Sequence, residues 1–370
     1  MKLLTDGKNA FPEILRCMRE ARESIYINMF IWRNDTIGNQ LAGELLCAAQ
    51  RGIRVQIAKD RYGVILERCE ENRKSFFHHK TTLAEQFRIA VLSIFYNRDK
   101  THKPAETISD PGTLLQALLT HPNVTIECDT NRYDHSKFYV FDDQILIIGG
   151  INVEDKENGI DYAGRAYQDY MVELDDPSVI RSFWQQRSNP CNYPSALFEM
   201  NLKQPIRYFG IKNRYLSLIR DAQESLTIVM AYISPLPEFE AAIVDAAMRG
   251  VDVRILIPAK ANFEDDLNKK AVSRLMRKSS GKVKVFLSDK MVHTKLLMNE
   301  SLITLGSSNI TRKAFRQLDE LNLFLPRDAS EFTKLLEESV EDIFSAAHAL
   351  NRSAHLSYNH FKAALESLFL

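Results

Sequence analysis

Short apolar runs alternate along the chain with longer stretches in which apolar positions recur every three or four residues. Residues 14–32 show both in succession. Ile14, Leu15 and Met18 keep helical spacing, and a mostly apolar run from Ile25 to Trp32 follows. The pattern predicts an amphipathic helix leading into a buried strand. Residues 45–60 repeat the order: an Ala-rich helix ends at Arg51-Gly52, and a β-branched strand begins at Ile53. Gly52 suits the left-handed position that closes a helix. Both signatures return at 215–233 and 243–260, where Gly250 stands for Gly52. Helices alternating with short apolar strands predict an α/β sandwich around a mixed sheet, here as a duplicated unit. The expected domains are 1–195 and 205–370, joined through 188–205, a stretch with three prolines and no clear period.

The halves are unequal. The first is longer by about 40 residues between its Arg-Gly helix end and the motif described below, which places an insert at roughly 62–121. It opens with the polar ERCEENRKSFFHHK, continues with the apolar FRIAVLSIFY and closes with the polar NRDKTHKPAETISDPG. It reads either as a helical excursion or as a lid or membrane-facing element beside an active site.

Composition narrows the class. Lys and Arg number 48 and Asp and Glu 48, so no global field draws the chain to nucleic acid or to an anionic membrane. Any such attraction must be local. The five cysteines (Cys17, Cys47, Cys69, Cys128 and Cys191) form no C-x-x-C pair. They read as reduced thiols in a cytosol-like compartment, with neither a disulfide frame nor a zinc site. No run approaches the roughly 18–20 apolar residues of a membrane helix, and the first residues lack the apolar core of a signal peptide. The expected location is cytoplasmic, with any membrane contact peripheral.

The chemistry-bearing residues sit in the duplicated unit. His135-Ser136-Lys137 opens HSKFYVFDDQILIIGGIN, and His293-Thr294-Lys295 opens HTKLLMNESLITLGSSN. A His and a Lys two apart on a strand share one face. Two imidazoles suit attack on a phosphodiester without a metal: one acts as nucleophile, the other as proton donor and acceptor. Lys137, Lys295 and the amides of Asn152 and Asn309 suit the phosphoryl oxygens where charge grows. Asp142, at the first hairpin turn, is a further candidate for the catalytic set. Gly149-Gly150 and Gly306-Ser307-Ser308 form tight small-residue turns. Asp169 and Glu320 follow those turns at similar distances and are candidates to fix the histidine tautomers. His78-His79-Lys80 and His102-Lys103 lack a following glycine turn and read as surface pairs.

These residues resemble the phospholipase D superfamily, whose signature is H-x-K-x4-D followed by G-[GS]-x-N. The GGIN turn and the AYISP and RGVDVRILIPAKAN stretches look most like the bacterial cardiolipin synthase branch. The resemblance covers nearly the whole chain. It implies two fused α/β domains about a pseudo-two-fold axis with one active site. It also implies phosphatidyl transfer between phospholipids through a phosphohistidine. In that scheme His135 and His293 are the nucleophile and acid/base pair, Lys137, Lys295, Asn152 and Asn309 bind phosphate beside Gly150, Ser307 and Ser308, and Asp169 and Glu320 orient the histidines. An anionic phospholipid is the implied substrate, no metal or organic cofactor is implied, and the inner face of the cytoplasmic membrane is the implied place of work. The rivals are a phospholipase D-type hydrolase or phosphodiester-cleaving nuclease and a non-catalytic lipid- or partner-binding module. The second motif departs from the signature, with Glu300 for Asp and a hairpin one residue shorter. Either the turn is merely shortened, with Asn299 or Glu300 standing for the Asp, or the half-site is distorted.

Three further features carry weaker signals. Asp60 reads as a strand-end or substrate-facing carboxylate. Leu267, Val272, Leu275 and Met276 share one side of a basic helical stretch, which reads as a solvated helix, a lipid-touching helix or a nucleic-acid phosphate track. Residues 346–370 read as amphipathic helix, with His348, His355 and His360 as surface or packing residues.

Overall fold

A computed structural model describes residues 1–69, 75–77, 80–97, 112–159, 166–351 and 356–369. His78, His79, His102, Lys103 and His355 lie outside the described residues. The chain divides into two compact units, Met1–Gln185 and Gln186–Leu370.

The first unit runs β1 (Lys2–Thr5), α1 (Asp6–Glu20), β2 (Ser24–Met29), α2 (Thr36–Gln50), β3 (Arg54–Lys59), α3 (Arg61–Cys69), α4 (Leu83–Ser93), α5 (Gly112–Thr120), β4 (Val124–Glu127), β5 (Lys137–Phe141), β6 (Ile145–Gly149), α6 (Asp155–Asn158) and β7 (Tyr170–Leu174), with α7 (Pro177–Ser188) next. Its sheet has the order β1-β7-β6-β5-β2-β3-β4. β2, β3 and β4 are parallel, and β5, β6 and β7 form an antiparallel meander beside them. Every residue of β5 and β7 is buried. Strands covered on both faces read as mostly apolar runs, here interrupted only by Lys137 and Glu173. On α1, Ala10, Phe11, Ile14 and Met18 are buried at helical spacing against this sheet.

The second unit runs β8 (Phe198–Leu202), β9 (Tyr208–Phe209), α8 (Ile211–Asp221), β10 (Ser225–Met230), α9 (Pro237–Arg249), β11 (Asp252–Pro258), α10 (Asp265–Lys278), β12 (Lys284–Ser288), β13 (Lys295–Asn299), β14 (Leu302–Gly306), α11 (Arg312–Arg316), β15 (Glu320–Pro326), α12 (Glu331–Ser345), β16 (His348–Leu350) and α13 (His360–Phe369). Its sheet order is β16-β12-β11-β10-β13-β14-β15-β8-β9. The six strands from β12 to β15 repeat the order and directions of β4 to β7, and β8 pairs with β15 as β1 pairs with β7. Gly52 and Gly250 follow their helices at φ +94° and +102°, a conformation in which a side chain is strained.

Three expectations change. Residues 188–205, read as a connector, carry β8, because its buried apolar residues pair with β15. The stretch 62–121 is not all added structure. A parallel strand pair needs a crossover, and α5 serves β3 and β4 as α10 serves β11 and β12. Leu115 and Leu118 of α5 pack in the first core, so the added helices are α3 and α4. Residues 346–370 are not one helix: β16 pairs with β12 before α13 begins, and there the exposed His348 faces Asp289 at 3.0 Å.

Of the three readings of the basic stretch, the fold is in line with the solvated helix face. α10 turns Val272, Leu275 and Met276 into the second core, while Lys269 pairs with Asp265, and Arg274 and Lys278 both pair with Glu240. Its apolar side is packed against protein and is not available to lipid. Leu275→Ala should therefore lower unfolding stability in urea by about 2–5 kcal/mol and leave vesicle binding by the folded protein unchanged.

Candidate active site

In the first unit, His135 stands just ahead of β5 and Lys137 is its first residue. Lys137 is fully buried and donates from Nζ to the His135 carbonyl oxygen at 2.5 Å. The edge of Phe30 meets the His135 ring, with centroids 4.8 Å apart, and the Lys137 ammonium lies 5.2 Å from the Phe30 centroid. A buried network holds the approach to this strand. The Asn28 amide donates to the Ser136 carbonyl oxygen at 2.9 Å, and the Ser136 backbone N–H donates to Asp134 at 3.0 Å. The Asp60 carboxylate accepts from the N–H groups of Tyr62 and Asp134 at 2.7 and 2.5 Å. Asp60 is thus a strand-end carboxylate, with each oxygen engaged by backbone. Burial raises its pKa against the lowering effect of those amides. Phe30, Asn28 and Asp134 were not singled out in the sequence. Asn28 had a signal, as a polar residue inside an apolar strand run; Phe30 had none.

The second unit builds the same feature with fewer polar groups. Lys295 donates to the His293 carbonyl oxygen. Ala231 replaces Phe30, and its N–H donates to the Thr294 carbonyl oxygen at 3.0 Å. His293 and Lys295 are both buried. Asn152 and Asn309, also buried, close the two small-residue turns, and Asn309 accepts from the Tyr232 N–H at 3.3 Å.

Asp142 does not belong with the reactive groups. It sits at the far end of β5 from His135, where it accepts from the N–H groups of Arg22, Glu23 and Ser24, each at 2.8 Å. Its expected catalytic place is corrected: it ties the hairpin to the start of β2. Glu300 does the same work. It accepts from the N–H groups of Gln223, Glu224 and Ser225 at 2.9, 3.3 and 3.4 Å, at the start of β10. Phe141 pairs with Ile145 across a three-residue turn. In the second hairpin the strands meet across Glu300-Ser301 alone, and Asn299 caps the turn by accepting from Ser301 and Leu302. The extra methylene of Glu300 lets its carboxylate reach the same three amides from the shorter turn. The departure from the signature is a compensated turn, and the strand carrying His293 keeps its register.

The turns after each hairpin differ in a paired way. A Cβ on Gly150 would lie 2.2 Å from an Asp169 carboxylate oxygen, and Asp169 itself accepts from the Tyr170 N–H at 2.8 Å. At the matching place in the second unit, the Ser307 hydroxyl accepts from the Leu321 N–H at 3.0 Å and donates to Glu320. In both units the acid that follows the turn thus meets the turn residue, Asp169 against Gly150 and Glu320 on the Ser307 hydroxyl. Ser307 and Ser308 are held by protein groups on several sides. The Ser307 hydroxyl is turned to Glu320, while the Ser308 N–H donates to Asn322 at 3.1 Å and its carbonyl oxygen accepts from Tyr215 at 2.9 Å.

Residues 14–187 and 215–344 match the family described as cardiolipin synthase, PLD-like domain. The chain belongs to that family. Cardiolipin synthase B of Shigella flexneri is 27% identical over 378 residues, which cover 94% of this chain and 80% of that protein. The major cardiolipin synthase ClsA of Bacillus subtilis is 22% identical, covering 92% of this chain and 68% of that one. Among solved structures, a phosphatidylserine synthase from Haemophilus influenzae superposes with a TM-score of 0.68 over 99% of this chain and 92% of that chain, at 14% identity. That likeness shows the fold.

Two predictions follow from this geometry. Gly150→Ala should displace Asp169 and reduce turnover by about 100-fold, whereas Gly150→Ser with Asp169→Glu should recover most of it; steady-state rates of the three proteins check this. The second concerns pH. Burial raises the Glu300 pKa, but hydrogen bonds from backbone amides outweigh burial and leave it lowered. A lowered folded-state pKa adds stability that is present above the unfolded carboxyl value of about 4.3 and is lost as pH falls through the folded value. Glu300→Gln should therefore flatten the acid limb of a stability–pH curve measured by urea denaturation.

Proposed function

We propose that the chain is a phosphatidyltransferase of the cardiolipin synthase kind, acting on phospholipids at the surface of a bilayer. The observation that carries this reading is the repetition of one His–Lys–Asn set on the same strand and turn in both units, inside a chain that belongs to the cardiolipin synthase family. Glu300 clamping its strand as Asp142 does removes the ground for a worn second motif.

In the first step an imidazole nitrogen attacks the phosphorus of one phosphatidylglycerol. The P–N bond forms, the P–O bond to glycerol breaks, and the other imidazole, protonated, gives its proton to the leaving oxygen. In the second step the alcohol of another phosphatidylglycerol gives its proton to that imidazole and attacks phosphorus, and the P–N bond breaks. His135 is assigned as the nucleophile. Lys137, Lys295, Asn152 and Asn309 hold the phosphoryl oxygens, Gly150 leaves room for the Asp169 carboxylate, and Asp169 and Glu320 orient the imidazoles. No step needs a metal, so turnover should persist in EDTA.

No helix among the described residues is long and apolar enough to cross a membrane. The proposed mode of work is peripheral, on the cytoplasmic face of the membrane. His135→Ala and His293→Ala should each lower transfer by about 10²–10⁴-fold, and acid-free quenching of wild type should trap a phospho-adduct in the peptide bearing His135. Wild-type rates in His135→Ala would falsify the catalytic reading, and an adduct on His293 would reverse the assignment of nucleophile.

A further inference from the structure

The added helix α4 is built inside out. Its polar side faces the protein. Glu85 closes a capping box with Thr82 and takes both oxygens to the Arg61 guanidinium, at 2.9 and 3.1 Å. Arg88 lies 4.8 Å from the Tyr62 ring centroid and donates to its hydroxyl at 3.3 Å. Leu92 is the one residue of this helix that is fully packed. The other side carries Leu83, Phe87, Ala90 and Ile94, four residues at i, i+4, i+7 and i+11 that form one stripe. Leu83, Phe87 and Ile94 are 84%, 73% and 75% exposed. Helices of a soluble protein ordinarily bury such a stripe, as α10 does with Val272, Leu275 and Met276. Charge points to the occupant. Glu85 is matched by Arg61 and Arg88 is turned to Tyr62, which leaves Lys80, exposed just before the helix, as the cation beside the stripe. The helix is also tied to the reactive strand: Tyr62, under Arg88, packs on Phe30, and Phe30 packs on His135.

We propose that α4 is the surface by which the protein docks on an anionic phospholipid bilayer, with the Leu83–Phe87–Ala90–Ile94 stripe entering the acyl boundary and Lys80 at headgroup level. An interfacial helix of this kind needs an apolar face and cations beside it. The inference rests on the phosphatidyltransferase reading, in which the substrate lies in a bilayer.

The test compares the full chain with a Phe87→Ser/Ile94→Ser variant. Both changed residues are exposed, and thermal melting confirms folding. Flotation with phosphatidylcholine vesicles, with and without phosphatidylglycerol, reads docking. Turnover of dihexanoyl phosphatidylglycerol in monomeric solution reads chemistry apart from docking. The variant should bind phosphatidylglycerol vesicles at least about 10-fold more weakly and turn over the soluble lipid at the wild-type rate. Unchanged vesicle binding overturns the docking role. So does a wild-type dimer in light scattering that the variant converts to monomer while vesicle binding persists, since a second copy then covers the stripe. Weakened binding in the variant, with no turnover of either lipid by wild type, upholds docking and sinks the transferase reading instead.

Discussion

The position of each His–Lys motif depends on the register of one β-hairpin against the first strand of a parallel trio. A slip of one residue sends every side chain to the opposite face, and these strands are too uniformly apolar for hydrophobic pattern alone to prevent it. The far end of each hairpin is therefore pinned by a carboxylate spanning three consecutive backbone amides, Asp142 in one unit and Glu300 in the other. The near end is tied across the strands, by the Asn28 amide to the Ser136 carbonyl oxygen in one unit and by the Ala231 N–H to the Thr294 carbonyl oxygen in the other. The carboxylate of an H-x-K-x4-D pattern is thus a register device separated from the reactive groups by the length of the strand.

The same logic explains why the two units differ in sequence where they agree in shape. A shorter turn goes with a longer acid at Glu300. A small Gly150 goes with Asp169, and Ser307 with Glu320. Phe30 beside His135 becomes Ala231 in the second unit, and the side-chain amide of Asn28 gives way to the backbone N–H of Ala231. These exchanges keep the backbone groups of a buried strand end hydrogen-bonded, which such an end cannot leave unsatisfied.

Much of this was legible in the sequence. The duplicated helix–strand order, the glycine helix ends and both His-Lys phrases are local patterns, and local patterns survive in one dimension. The misread parts depend on partners distant in the chain. β8 is a five-residue strand in a proline-bearing stretch, recognisable only once β15 offers it an edge. The crossover role of α5 follows from β3 and β4 being parallel. The acid that pairs Arg274 and Lys278 of α10 is Glu240, distant in the chain, so only the fold shows how those cations are matched. The side of α4 that faces water was invisible, because an apolar run carries no sign of which face is covered.

The most direct test of the central claim is the product balance on phosphatidylglycerol vesicles in EDTA, with cardiolipin, glycerol and phosphatidic acid quantified together. Phosphatidyl transfer between two lipids predicts one glycerol released for each cardiolipin formed, with little phosphatidic acid. Glycerol matched by phosphatidic acid, with no cardiolipin, would contradict it and make water the acceptor.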